Sequence, residues 1–380
     1  MSKSARTIIG RLFHIDWPLF LAALGISLAG LVTMNSFAAE NVFFDRQIVW
    51  ICIAIGVFFL ASVIDYRFLR RTATVTTLFA ITTVLLAMVF VFGDVVKGAQ
   101  SRFDVGLFAI QPAEIAKLVL IIVLAKYFAR RHIEIARFKH ILIPGMYALV
   151  LFTLVFLQPD LGSAIIIGAI WLGVVLVAGI SLRHLTALTV VGVLSAFLMW
   201  NFALADYQKD RVLTFLNPLA DIQGAGYNAY QSTIAVGSGQ VVGKGIGYGT
   251  QSKLRFLPEY ETDFIFAAFS EEWGFVGVIL LFSLYGVVIW RVLTYALTGA
   301  SNFETLFAVG VAVLIISHFV IHVGMNMGLL PVTGTTIPFM SYGGSHLIIE
   351  FLALGMIMGM RRYARVVRGD DSSQKEFLDV

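Results

Sequence analysis

Apolar residues run along this chain in long blocks, and polar residues fall between them. Ten blocks are near the ~20 residues that a spanning helix needs. They lie at Trp17–Ala38, Gln47–Ile64, Thr72–Phe92, Ala113–Phe128, Ile141–Gln158, Leu161–Gly179, His184–Leu204, Phe264–Leu293, Thr305–Leu330 and Tyr342–Met360. The short alternating segments of a membrane barrel are absent. The pattern predicts an all-α integral membrane protein of about ten transmembrane helices. One large extracytoplasmic loop, residues 205–262, separates helices 7 and 8.

Composition agrees. Of the 380 residues, 59% are hydrophobic and 13% charged, with mean hydropathy +0.88. A soluble domain carries roughly 25% charged residues. The lone Cys52 excludes a disulfide framework. No linker or usable repeat divides the chain, which reads as one polytopic membrane domain over residues 1–366 with a polar cytoplasmic tail at 367–380.

The net charge of +4 matters less than its distribution. With ten spans, Lys3, Arg6, Arg11, Arg67, Arg70, Arg71, Arg130, Arg131, Arg137, Lys139, Arg183, Arg291, Arg361, Arg362, Arg365 and Arg368 share one side. Short cytoplasmic loops concentrate basic residues. Both termini are therefore expected in the cytoplasm.

Ionisable groups in or beside spans are functional candidates by default. Lys97-Gly-Ala-Gln-Ser-Arg102 precedes Gln111-Pro-Ala-Glu114-Ile-Ala-Lys117. Glu114 and Lys117 are three apart, so they share a helix face and can pair. That pair is either a packing device or the charged floor of a polar cavity. Asp160, between two spans, is a helix cap or a site residue. The large loop is rich in glycine and carries Arg211, Lys244, Lys253 and Arg255. Glycine turns bring backbone N–H groups close to anions, so this loop is a candidate cradle for phosphate. Neither a dinucleotide nor a Walker pattern is present, nucleic acid is not implied, and no His/Cys grouping suggests zinc. His318 and His322 read as packing residues. Asp263, with Glu259 and Glu261 beside it and Glu271-Glu272 beyond, sits at the head of an apolar helix. There it is either a general base or an N-cap.

Eight stretches also resemble a known family: KGAQSRF at Lys97, QPAEIAK at Gln111, QPDLGS at Gln158, GAGYNAYQS at Gly224, GSGQVVGKG at Gly237, GTQSKLRFLPE at Gly249, TDFIFAAFSEEWG at Thr262 and GLLPVTGTTIPFMSYGGS at Gly328. Together they are similar to the SEDS proteins (shape, elongation, division, sporulation), and to the RodA-like branch more than the FtsW-like one. Three residues depart from that pattern. Glu261 stands where histidine is common, Gln240 where glycine is usual, and Trp273 where leucine is usual.

The resemblance implies a peptidoglycan glycosyltransferase that polymerises lipid II during cell-wall elongation and rod-shape maintenance. It implies residence in the bacterial cytoplasmic (inner) membrane and a class B penicillin-binding protein as partner. It also implies that Asp263 is the essential loop aspartate. The acceptor lipid II would attack the growing lipid-linked glycan strand, with Asp263 as base. Diphosphate leaves without needing a proton, so one carboxylate suffices, unlike the pair of a hydrolase. Arg102, Arg211 and Lys244 would neutralise the diphosphate, and Lys97, Glu114, Lys117, Asp160 and Glu259 would complete the substrate site. A divalent cation, Mg2+ or Mn2+, could bridge phosphate oxygens. No organic cofactor is implied. A lipid-precursor flippase and a non-enzymatic scaffold are the alternatives.

Overall fold

The computed structural model describes residues 15–36, 42–96, 99–105, 108–129, 138–217, 226–254 and 256–376. For residues 363–376 only the backbone is described. Lys97, Arg255, the N-terminal basic residues, and Arg130, Arg131 and Arg137 lie outside the described residues.

The apolar blocks become helices in the expected order. These are α1 (Trp17–Asn35), α2 (Val42–Val63), α3 (Thr72–Phe92), α4 (Pro112–Ala129), α5 (Lys139–Leu157), α6 (Leu161–Ala178) and α7 (Leu182–Leu198), which a π-helical turn extends to Ala203. Two shorter helices, α8 (Asp206–Leu216) and α9 (Tyr227–Ser238), lie in the large loop. The last three are α10 (Ile265–Thr298), α11 (Asn302–Asn326) and α12 (Gly344–Glu376). Nine helices among the described residues are long and apolar enough to cross a membrane. The helix α4 has 18 residues but carries Glu114, Lys117 and Lys126, too much charge to count by composition. It crosses because protein surrounds it: every residue from Ala116 to Lys126 is buried.

Two features add to this pattern. A small antiparallel sheet, β1 (Asp94–Val96), β2 (Ala99–Val105) and β3 (Phe108–Ile110), links α3 to α4. Two of these strands, β1 and β3, have three residues each, too short for alternation to register. In addition, α12 runs on to Glu376, through most of the segment expected as a polar tail.

The spans meet at small residues, the usual device where lipid gives no hydrophobic drive. A methyl group on Gly310 of α11 would lie 2.5 Å from Ile121 of α4. One on Gly173 of α6 would lie 2.7 Å from Val313. By contrast, α7 has no buried residue.

The feature that positions the site is a break in α10. At Gly274 the backbone turns to φ 63°, ψ −167°. Such a break strands carbonyls on one side and amides on the other, and inside a bilayer these must be satisfied by protein. The glycine-rich loop satisfies them. Lys244 and Gly245 donate to the carbonyls of Glu271 and Glu272, each at 3.0 Å. Phe275 and Val276 donate to the carbonyls of Gln240 and Val241, at 2.9 and 3.0 Å. The contact leaves no room for side chains: a methyl on Gly274 would lie 2.1 Å from the Gly243 nitrogen. Gln240 itself takes φ 49°, the left-handed region where the family pattern has glycine.

Gly274→Ala should therefore destabilise by at least ~2 kcal/mol, through backbone overlap and a strained φ. Gly286→Ala, in the same helix with nothing within 4 Å of the new methyl, should be neutral or gain up to ~1 kcal/mol. Melting temperatures of both variants in detergent check this, and similar melting of the two would refute the backbone plug.

Candidate active site

Asp263 occupies the turn before α10, half-buried. The helix N-cap is Phe264, one residue later. A first-turn amide is satisfied from another helix: Ala267 N donates to Asn326 Oδ1 at 3.2 Å. Asn326 Nδ2 in turn donates to the Asp263 carbonyl at 3.0 Å. Asn326 is fully buried at the end of α11, and its own carbonyl accepts from Ser232 Oγ at 2.9 Å. On the other flank, Ser341 Oγ donates to the Thr262 carbonyl at 2.8 Å and Tyr342 N to the Glu261 carbonyl at 2.9 Å. Glu259 closes the turn at φ 51°, with its carbonyl accepting from Thr262 N and Phe264 N, each at 3.1 Å. The backbone on both sides of Asp263 is thus fixed, and Asn326 does the capping that Asp263 was a candidate for.

The segment 331–343, between α11 and α12, gathers the other candidates. A methyl on Gly334, at φ 71°, would lie 3.4 Å from Asp263 Oδ2. One on Gly162, at the head of α6, would lie 2.5 Å from Thr335 and 2.9 Å from the Thr333 carbonyl. Beside Gly162, Asp160 caps α6 by accepting from Ser163 N at 2.9 Å, and its Oδ2 accepts from Gln111 Nε2 at 3.0 Å. Arg211, stacked on Tyr207, reaches the Val332 carbonyl at 3.4 Å. Asp263, Asp160 and Arg211 therefore all border one loop.

Within the bundle, α4, α11 and α12 contribute a closed charge network. Lys117 Nζ donates to Glu114 Oε1 at 2.7 Å and to His318 Nε2 at 3.0 Å. His318 Nδ1 must donate to the Thr336 carbonyl, at 3.0 Å, which leaves Nε2 to accept and the ring neutral. His346 lies between two carboxylates, Nδ1 3.4 Å from Glu114 and Nε2 3.0 Å from Glu350. Each ring nitrogen of His346 thus faces a carboxylate oxygen, and Nε2 also lies 3.1 Å from Thr336 Oγ1. Lys117 and His346 sit between the carboxylates of Glu114 and Glu350. Glu350 also accepts from Phe339 N at 2.7 Å, which pins the 331–343 segment at a residue with φ 63°. Lys117 is completely buried, so the pair sits inside packed protein rather than on a cavity wall.

Glu114, His318 and His346 could by spacing hold a metal ion, their ligand atoms lying within 4.8 Å of one another. The Lys117 ammonium bonds two of these three, Glu114 and His318. A fixed cation is already built into the group, and Mg2+ or Mn2+ does not fit there.

Other candidates fall elsewhere. Lys244 lies 2.6 Å from Glu271, whose side chain is fully buried and also accepts from Thr250 N and Gln251 N at 2.9 and 3.1 Å. Gly247 N donates to Glu272 at 3.1 Å. The glycine cradle thus holds the chain's own carboxylates, which corrects its reading as a phosphate site. Arg102 is half-buried on β2, in register with Asp94. The residues that sequence reasoning missed are Asn326, Ser341, Glu350 and the two histidines. Reading His318 as packing is corrected by its bond to Lys117. The available signal was their polarity within apolar blocks.

The fold and site together define a polytopic membrane protein. It carries a fixed carboxylate at one end of the bundle and a buried charge network within it. The chain belongs to the FtsW/RodA/SpoVE family of cell cycle proteins, which matches over residues 13–366. It is 34% identical over 355 residues to peptidoglycan glycosyltransferase MrdB of Escherichia coli K12, covering 93% of this chain and 95% of that protein. A chain of a peptidoglycan synthase complex that coordinates polymerization and crosslinking superposes with TM-score 0.79 at 32% identity, over 92% of this chain and 98% of that one. The rod shape determining protein RodA of Thermus thermophilus superposes with TM-score 0.69 at 31% identity, over 91% and 96%.

Removing one partner of a buried ion pair costs ~3–5 kcal/mol. Lys117→Met and Glu114→Gln should each lower the melting temperature sharply, and the double variant should lose less than the two singles combined. Additive losses would show that the pair is not coupled.

Proposed function

We propose that the chain is a peptidoglycan glycosyltransferase that polymerises lipid II, with Asp263 as the general base. The observation that carries this is the Asp263 carboxylate, held half-buried at one end of the bundle by bonds to its own carbonyl and to that of Thr262. Family membership supplies the reaction class. In the reaction, the acceptor's sugar hydroxyl loses its proton to Asp263 and attacks the anomeric carbon of the lipid-linked donor. The glycosidic bond forms as the bond to the diphosphate breaks. Arg211, across the 331–343 segment, is placed to meet the departing charge, and Asp160 and Gln111 fix the neighbouring wall. Lys97, Arg102 and Glu259 remain candidates for substrate contact. Glu114 and Lys117 act beneath, holding that segment through His318, His346 and Glu350.

The basic residues support placing both termini in the bacterial cytoplasm, with Asp263 facing outward. Arg70, Arg291 and Arg361 all lie at the bundle end away from Asp263. The similarity to a chain of a synthase complex supports a crosslinking partner, proposed to be a class B penicillin-binding protein.

General-base catalysis is worth about 10²–10⁴-fold. Asp263→Asn keeps the side chain's size but not its basicity. It should therefore lower polymerisation of labelled lipid II by that factor while its melting temperature stays within a few degrees of wild type. Asp263→Glu should also be strongly impaired, because the base would be displaced by a methylene. Near-wild-type polymer from Asp263→Asn would refute the base, and lipid II redistributed across vesicles without polymer would favour the flippase.

The partner proposal is tested by co-expression and purification in mild detergent. Recovery of this chain with a single-span penicillin-binding protein at fixed stoichiometry is expected. Recovery of this chain alone would count against it.

A further inference from the structure

At the bundle end opposite Asp263, a cavity of about 370 Å³ opens between the end of α10, the start of α11 and the end of the spanning part of α12. Arg291 lies one spanning helix from Asp263, about 40 Å along the axis at about 1.5 Å per residue. The cavity is thus separate from the candidate active site. Its polar lining includes Arg291, Tyr295, Thr298, Glu304 and Arg361.

These groups are fixed in place. Arg291 Nε donates to Asp16 Oδ2 at 2.8 Å, and its Nη2 bonds the same oxygen and Tyr295 Oη. Asp16 is committed, since its other oxygen caps α1 by accepting from Leu19 N at 3.0 Å. Arg361 Nη1 donates to Tyr295 Oη at 2.7 Å, with its guanidinium 4.7 Å over the Tyr295 ring. Glu304, the acidic group in the lining, is held by Arg70 at 2.7 Å and by Ala300 N at 3.1 Å. Among the described residues the assembly brings together three guanidiniums, of Arg70, Arg291 and Arg361, and two carboxylates, of Asp16 and Glu304. Arg291 Nη1 takes no part in these bonds and is a remaining donor at the wall.

We infer that this cavity binds a phosphate group, of a membrane phospholipid or of a soluble phosphate. Preorganised guanidiniums match phosphate oxygens. Basic pockets between spanning helices on the cytoplasmic side take lipid head groups. The lipid form of the proposal rests on the orientation given above. It does not depend on the glycosyltransferase reading, because the readout is binding.

The test reconstitutes the full chain in nanodiscs of phosphatidylcholine, with or without phosphatidylglycerol. A parallel set in phosphatidylcholine alone receives inorganic phosphate. Lipid retained on the protein is counted by native mass spectrometry, and thermal shift reads both ligands. Variants are Arg361→Gln and Thr298→Phe, the second filling the cavity without changing charge. Arg67→Gln, an exposed arginine outside the lining paired with Asp65, controls for net charge. Binding should fall at least fivefold in both cavity variants and stay unchanged in Arg67→Gln. Loss in the phosphatidylglycerol arm assigns a lipid, and loss in the phosphate arm a soluble ion. Binding that persists in both cavity variants, falls equally in Arg67→Gln, or is absent from wild type in both arms would overturn the proposal.

Discussion

A spanning helix that breaks exposes amides and carbonyls that lipid cannot bond, and this constraint organises the end of the protein that carries Asp263. The break at Gly274 is possible because residues 240–245 supply the missing partners. The price is sequence: glycine at both faces of the contact, and a glutamine forced into the left-handed region. In return the large loop is anchored to the same helix that begins just after Asp263. Glu271 and Glu272, next to the break, then hold the following turn of the loop through its amides and Lys244.

The same rule governs the interior charges. Lys117, Glu114, His346 and Glu350 would each be costly alone in an apolar bundle. Together they engage one another, and nearly every donor finds an acceptor. Replacing one member leaves a charge with no counterpart. The network also reaches the 331–343 segment through Thr336 and Phe339, and that segment lies against Asp263. Stability of the bundle and placement of Asp263 are thereby linked by hydrogen bonds rather than by proximity alone.

At the other face, Asp16 ties the start of α1 to the end of α10, and Arg70 ties the turn after α2 to the start of α11. These ion pairs close that end of the bundle and border the cavity between α10, α11 and α12. The protein thus has polar apparatus at both membrane surfaces, held apart by apolar spans.

The sequence by itself marked the ten apolar blocks, because helix formation in lipid depends on local runs of apolar residues, although the charged α4 crosses only by virtue of the protein packed around it. It also determined the asymmetry of basic residues and singled out Asp263, whose position before an apolar run is a local fact. The Glu114–Lys117 pair was legible for the same reason, since both lie on one helix face. Only the tertiary structure decided where the remaining polar groups point. Lys244 and Glu271, Asn326 and Ala267, and His346 and Glu114 are far apart in sequence, and no periodicity records such pairings. Hydropathy counts how much charge a segment carries. Whether that charge meets a substrate or another side chain depends on which helices pack together, which is why Lys244 binds a carboxylate of its own chain and His318 belongs to a charge network.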